Sequence, residues 1–260
     1  TKISWVELSY VDVFFMQRPF GNNLYTACKI AKRNNLPVWI DYDDDLTALP
    51  KWNQSHGHFA PPADQLEMFE MVKMADVVSV TTPGIATLLS KYNKSIEIIP
   101  NALNDFLFKL DYEPGKNNIL SWRGSPFHSG DIVTIEEGFK YVNQTHKDWS
   151  VVLTGTDSKY LKDVHYVSLP VQDVVEYYES IKAMSPKLWV VPLEDNKFNH
   201  SKSNLAWIEA TYAGATVLAP SVFKEFDMPG VVRYDSVEHF NKLVSELITN
   251  EEMRIAKYKE

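Results

Sequence analysis

The chain has 260 residues, 45% of them apolar and 13% aromatic, which supports one large domain or two medium ones with substantial cores. A formal net charge of −8 disfavours non-specific binding to nucleic acid or anionic membrane, because the long-range field repels both. The single cysteine, Cys28, excludes a disulfide framework or a cysteine-built zinc site, and no apolar run approaches the roughly 18 residues that span a bilayer. Together these point to a protein of the cytoplasm with no nucleic-acid partner and no integral membrane segment. Cys28 itself reads as a small buried apolar side chain.

Taken in chain order, short apolar or β-branched runs alternate with amphipathic stretches. Strands are expected at 11–15, 38–40, 77–80 and 96–99, with helices at 23–34, 63–74 and 85–92 between them. A second series places strands at 119–122, 151–153, 188–191 and 217–219. Its helical stripes are Ile132, Ile135, Phe139 and Val142, then Leu205, Ile208 and Tyr212, then Phe240, Leu243, Val244 and Leu247. Several strand runs lack polar interruption, as strands of a parallel sheet covered on both faces do. The polar, turn-rich stretch 105–118 divides the two series, so two domains are expected, 1–108 and 115–260. The first is short for a complete doubly wound unit, which suggests trimming at its N-terminus.

In open α/β sheets ligands bind beyond the carboxyl ends of the strands. After 119–122 come Arg123, Gly124, Ser125 and His128; after 151–153 come Thr154, Gly155, Thr156 and Asp157; after 188–191 comes the loop through Asn199 to Lys202. Gly124 and Ser125 allow close backbone approach, and the Arg123 fork suits phosphate oxygens, with a helix expected to start near His128 and direct its positive end at the same anion. The alternative is a tight turn carrying a surface arginine. Ser201 or Ser203 can cap a helix beginning near 203, which would put Lys202 at its mouth and Glu209 about two turns along. Glu209 is then either a carboxylate for the two hydroxyls of a ribose or a solvated surface residue. The neighbouring Ala210, Ala213 and Gly214 favour the packed setting.

FNHSKSNLAWIEATYAGATVLAP, residues 198–220, resembles the donor-site segment of retaining glycosyltransferases of the GT-B architecture, glycosyltransferase family 4 or group 1 in particular. SWRGSPFHSGD, residues 121–131, resembles the phosphate loop that opens the same domain. ADVVSVTTPGIATLLSKYNKSIEIIPNALN, residues 75–104, resembles the end of the first domain with its proline-asparagine hinge. The resemblance implies an α/β protein of two Rossmann-like domains with parallel sheets facing across a cleft. It also implies metal-independent transfer of a sugar from a nucleoside diphosphate donor to a saccharide or other hydroxyl acceptor. Retention of anomeric configuration would follow, with no resident cofactor and with the leaving phosphate taking the acceptor proton.

By position, Arg123, Lys202 and Glu209 would carry the reaction, and Gly124, Ser125, His128, Thr154, Gly155, Asn199, Ser201, Ser203 and Asn204 would hold the donor. The family commonly carries a second glutamate eight positions before Glu209, and this chain has Ser201 there. That departure leaves the donor sugar open and keeps two alternatives in view. One is another GT-B reaction, polyol-phosphate transfer or sugar-nucleotide epimerisation; the other is a non-catalytic nucleotide-binding protein.

Three other features compete for attention. The run Asp41 to Asp45 (interrupted by Tyr42) could bind a divalent metal, cap a helix or line the acceptor cleft, and the last two are favoured. SHGH at 55–58 reads as a mobile polar loop. Trp39, Trp149, Trp189 and Trp207 read as packing residues, while Trp52, beside Pro50, has a loop setting that suits stacking on a sugar.

Overall fold

The computed structural model of the protein describes residues 5–156 and 160–260; Asp157 of the expected ligand loop lies outside them. The chain divides into two compact units, 1–101 with 196–203, and 102–195 with 204–260. Segment 196–203, expected in the second domain, belongs to the first unit. Its anchor there is local: Thr82 Oγ1 donates to the Ser201 carbonyl at 2.9 Å, and Gly84 leaves the Ser201 backbone so close that an added Cβ would sit 3.3 Å from it.

The first unit runs α1 (Trp5–Leu8), β1 (Phe14–Gln17), α2 (Asn22–Arg33), β2 (Val38–Tyr42), α3 (His56–Phe59), α4 (Pro62–Met74), β3 (Val77–Val80), α5 (Pro83–Leu89) and β4 (Ile96–Ile98). Its four strands are parallel and in sequence order. Residues such as Met16, Val38, Ile40, Val78 and Val80 pack against Cys28, Met71 and Ile85 of the helices. The alternate residues of β1 and β2 point away from that core. Phe15 and Trp39 stand 52% and 37% exposed, edge to face at 5.3 Å. Trp39 is therefore not the core residue its neighbours suggested, since it takes the opposite pleat from Val38 and Ile40. The SHGH stretch forms the helical turn α3 rather than a mobile loop, fixed by His56 Nδ1 at 2.7 Å from the Leu49 carbonyl.

The second unit runs β5 (Asn117–Arg123), α6 (Ser129–Val133), α7 (Glu136–Thr145), β6 (Ser150–Thr154), β7 (Tyr166–Leu169), α8 (Val174–Met184), β8 (Pro186–Val190), α9 (Leu205–Ala213), β9 (Thr216–Pro220), β10 (Val232–Tyr234), α10 (Val237–Thr249) and α11 (Glu251–Lys259). All six strands are parallel, in the order β10-β9-β8-β5-β6-β7. Both faces are covered. Leu120, Trp122, Val151 and Leu153 meet Phe139, Val142, Phe240 and Leu247 on one side. On the other, Trp189, Val217 and Ala219 meet Tyr178, Ile181, Ala210 and Ala213. Asp173 caps α8 by accepting from Val175 and Glu176, and Ser236 caps α10 by accepting from His239. Trp149 and Trp189 are buried, and Trp207 is half-buried with its indole donating to the Pro229 carbonyl at 3.3 Å. No helix among the described residues is long and apolar enough to cross a membrane.

Helix α9 ends at Gly214, in the left-handed conformation at φ 90°. A Cβ there would lie 2.6 Å from the Glu113 carbonyl oxygen, and Gly115 N donates to the Gly214 carbonyl at 2.6 Å. Gly214→Ala meets both a strained φ and a backbone wall, so we expect a loss of about 1–3 kcal/mol in chemical denaturation. Cys28 is fully buried, and burial pushes its thiol up to about 11. The folded protein should resist a thiol reagent at pH 8 and release one equivalent when denatured. Because the unfolded thiol ionises first, this group also favours unfolding as pH rises from its ordinary 9.0 towards 11.

Candidate functional site

The order of the second sheet reverses between β8 and β5, so the chain leaves the first strand of this unit in opposite directions on its two sides. That reversal opens a crevice at the carboxyl ends of the strands, where ligands of doubly wound sheets bind. The four-stranded sheet has no such reversal.

The exits of β5, β6 and β7 are tied together through their backbones. Gly124 N donates to the Thr154 carbonyl at 3.0 Å, and Gly155 N donates to the Leu169 carbonyl at 2.9 Å. Gly155 is left-handed at φ 87°, and a Cβ on it would meet the Gly124 carbonyl oxygen at 2.9 Å. Gly124 in turn abuts the Trp122 ring, which a Cβ would approach to 2.5 Å. Glycine is thus required where these two loops are pressed together. They border a cleft of about 320 Å³, continued by the turn between β7 and α8 and by Tyr177 of α8.

Arg123 and Glu209 both line this cleft. Arg123 Nε donates to Glu209 Oε2 across the gap between β5 and α9. The Glu209 side chain is 5% exposed and that of Arg123 27%. Burial pushes the Glu209 carboxyl above its ordinary value, with the Arg123 guanidinium pulling the other way. For Arg123, burial opposes the charge, but Glu209 and the nearby tyrosines outweigh it and raise the guanidinium above its usual value. Burial, then the charge of Glu209, holds the Tyr177 hydroxyl well above the usual phenol range, so it remains neutral. The buried Thr154 hydroxyl has no hydrogen-bond partner among the described residues, one unspent donor beside the same cleft.

Six of the expected residues therefore share one cleft: Arg123, Gly124, Ser125, Thr154, Gly155 and Glu209. The others are placed differently. His128 Nδ1 lies 2.8 Å from Asp131 Oδ2, and the other oxygen of that buried carboxylate accepts from Glu194 N at 3.0 Å. The helix expected behind it begins as a 3₁₀ turn, Pro126–His128, and α6 has only 5 residues.

Asn199, Ser201, Lys202 and Ser203 lie in the first unit. Asn199 and Ser201 are buried in a 3₁₀ turn, and Ser203 Oγ accepts from Asn101 at 2.7 Å. Lys202 does not stand at a helix mouth, because α9 starts at Leu205, with Asn204 before it making no side-chain cap. Its ammonium is 3.3 Å from Asp44 and 4.4 Å from the centre of the Phe198 ring. The acidic run is engaged within the same unit: Asp41 accepts from Ser79, Asp43 pairs with Arg18, and Asp45 accepts from Thr47, with Lys197 at 3.8 Å. Among the described residues no group of three or more His, Cys, Asp or Glu is arranged to hold a metal ion.

No family model matches the sequence, and no curated protein matches it. Solved structures do match. A mutant of TarM from S. aureus, in complex with Fondaparinux, alpha-GlcNAc-glycerol and UDP, superposes with a TM-score of 0.64 at 12% identity, over 90% of this chain and 49% of that one. An alpha,alpha-trehalose-phosphate synthase (UDP-forming) from Burkholderia vietnamiensis gives 0.64 at 11% identity, over 98% of this chain and 68% of that one. A putative UDP-N-acetylglucosamine 2-epimerase from Listeria monocytogenes gives 0.52 at 12% identity, over 98% and 70%.

The chain has a GT-B glycosyltransferase-like fold. It spans about half the length of the TarM chain it matches.

Within the second unit of this fold, Arg123 and Glu209 form an ion pair that lines the cleft. Removing the cation leaves a nearly buried carboxylate unpaired. Arg123→Ala should lower stability by about 3 kcal/mol, the low end of the cost for breaking a buried pair, since the arginine is partly exposed. Adding Glu209→Gln should restore most of that loss in denaturant titrations.

Proposed function

We propose that the chain binds a nucleoside diphosphate sugar at the exits of β5, β6 and β7 and transfers the sugar to an acceptor hydroxyl with retention. The observation that carries this reading is the guanidinium of Arg123 beside two glycine-backed strand exits, in a cleft at the carboxyl edge of a doubly wound sheet. In the transfer, the bond between the anomeric carbon and the phosphate oxygen breaks and a bond to the acceptor oxygen forms. The acceptor proton passes to the leaving diphosphate. Negative charge grows on that diphosphate, and a fixed cation beside it stabilises the transition state more than the ground state. The reaction balances with the donor and the acceptor hydroxyl as its two reactants.

Sugar-nucleotide epimerisation is the second reading, motivated by the similarity to the structure described as a putative UDP-N-acetylglucosamine 2-epimerase from Listeria monocytogenes. That one superposes at a TM-score of 0.52, against 0.64 for TarM and the trehalose-phosphate synthase, so transfer is preferred. Thermal shift with UDP, GDP and ADP would identify the base. Product analysis with the matching sugar nucleotide then separates the two readings: transfer yields free nucleoside diphosphate and a glycoside, epimerisation a C2-inverted sugar nucleotide. A protein that binds the diphosphate yet neither transfers nor epimerises would be a binding module. Arg123→Gln should weaken nucleoside diphosphate binding about 10–100-fold, the worth of a charge-assisted contact, and change nucleoside binding far less in calorimetry.

A further inference from the structure

We infer that Asp131 is a positioning residue for His128: it holds the imidazole by Nδ1 at the switch point between β5 and β8 and leaves Nε2 to donate to the diphosphate of the ligand. The inference rests on the nucleotide-binding reading above and adds to it a carboxylate which that reading does not use.

Placement is the first support. The sheet order reverses between β8 and β5, and Asp131 joins the chain segments that leave these two strands. Its Oδ2 lies 2.8 Å from His128 Nδ1, after β5, and its Oδ1 accepts from Glu194 N at 3.0 Å, after β8. His128 donates its backbone N–H to the Ser125 carbonyl at 3.0 Å, and Ser125 lines the cleft. The imidazole therefore stands at the crevice that a doubly wound sheet opens to a ligand. Side-chain exposure ranks the pair the same way, 1% for Asp131 behind and 23% for His128 in front.

The second support is the chemistry of the bond. A carboxylate only accepts, so Nδ1 carries a hydrogen and Nε2 is the ring nitrogen left for another partner. Within the described residues the one side-chain hydrogen bond of His128 is to Asp131. A ring set between this carboxylate and a diphosphate holds a proton on each nitrogen, because both neighbours are anions. One N–H goes to Asp131 and the other to a phosphate oxygen. The third support is the shape of the loop. Helix α6 has only 5 residues, so few peptide dipoles add along it and cationic character here comes from side chains. Asp131 is itself fixed: its backbone carbonyl accepts from Thr134 N at 3.1 Å and from Thr134 Oγ1 at 2.6 Å, and the next residue, Ile132, is buried in the core.

The test uses the full chain with inorganic pyrophosphate, UDP and uridine as probes in calorimetry. His128→Gln and Asp131→Asn are each expected to weaken pyrophosphate and UDP about tenfold, the worth of one charge-assisted hydrogen bond, and to leave uridine unchanged. The double variant is expected to lose no more than either single one. A lysine presents its charge without a partner to orient it, so in a His128→Lys background Asp131→Asn is expected to change pyrophosphate binding by less than about twofold. If Asp131→Asn does not fold, nitrogen-15 NMR of histidine-labelled wild-type protein at pH 8 decides the same point. The neutral His128 ring, assigned through His128→Gln, is expected to be protonated at Nδ1, and protonation at Nε2 instead overturns the inference. Variants that melt earlier yet bind pyrophosphate and uridine as the wild type does overturn it too, because Asp131 is then only a tie between two strand exits. Equal weakening of uridine and pyrophosphate has the same consequence. In these cases nucleotide binding by the wild type survives, whereas a wild-type protein that binds neither UDP nor pyrophosphate removes both.

Discussion

A carboxylate inside a protein needs a cation or a set of donors, because its desolvation is not repaid otherwise. Glu209 meets that need with Arg123, 86 residues away in sequence. The pair spans β5 and α9, and both residues line the cleft. Around it the backbones of Gly124 and Gly155 close the strand exits, and Gly214 fixes the far end of α9. The cation that lines the cleft is held by one partly buried ion pair.

The two units handle their parallel sheets differently. In the six-stranded sheet both faces carry apolar cores, so strand residues of either parity are buried, and the runs in β5, β6, β8 and β9 read as continuous apolar stretches. In the four-stranded sheet one face carries the helices, and the other exposes Phe15 and Trp39. Its strands alternate accordingly, so residues of matching hydrophobicity have opposite fates on successive pleats. Charge in the first unit is organised in the same local way, with the acidic run shared among Arg18, Lys197 and Lys202.

Much of this was legible in the sequence, and the omissions have physical causes. Runs such as Val77–Val80 are strands because β-branched side chains repeat without polar interruption. Strand β7 escaped notice because it is an edge strand with Val167 exposed and Ser168 beside it, so no buried run marks it. Helix α8 mixes Glu176, Tyr177, Tyr178 and Glu179 at its centre, which blurs its apolar stripe. The stripe from Ile132 to Val142 is real as a core face, yet the backbone breaks between α6 and α7, and periodicity alone does not register a break that keeps the same side chains inward.

Local chemistry is what a sequence carries directly: the alternation of strands and helices, the glycines at strand exits, and the Lys202 to Gly214 segment as a loop followed by a helix and a left-handed stop. Pairing across long separations is not local. Lys202 reaches Asp44 across 158 positions, and the segment around it packs under Thr82 and Gly84 of the first unit. Arg123 and Glu209 could each be read as ligand residues from their own neighbourhoods. That they hold each other was decided by tertiary structure, because the cost of an unpaired buried charge depends on what the fold brings beside it and not on the residues adjacent in sequence.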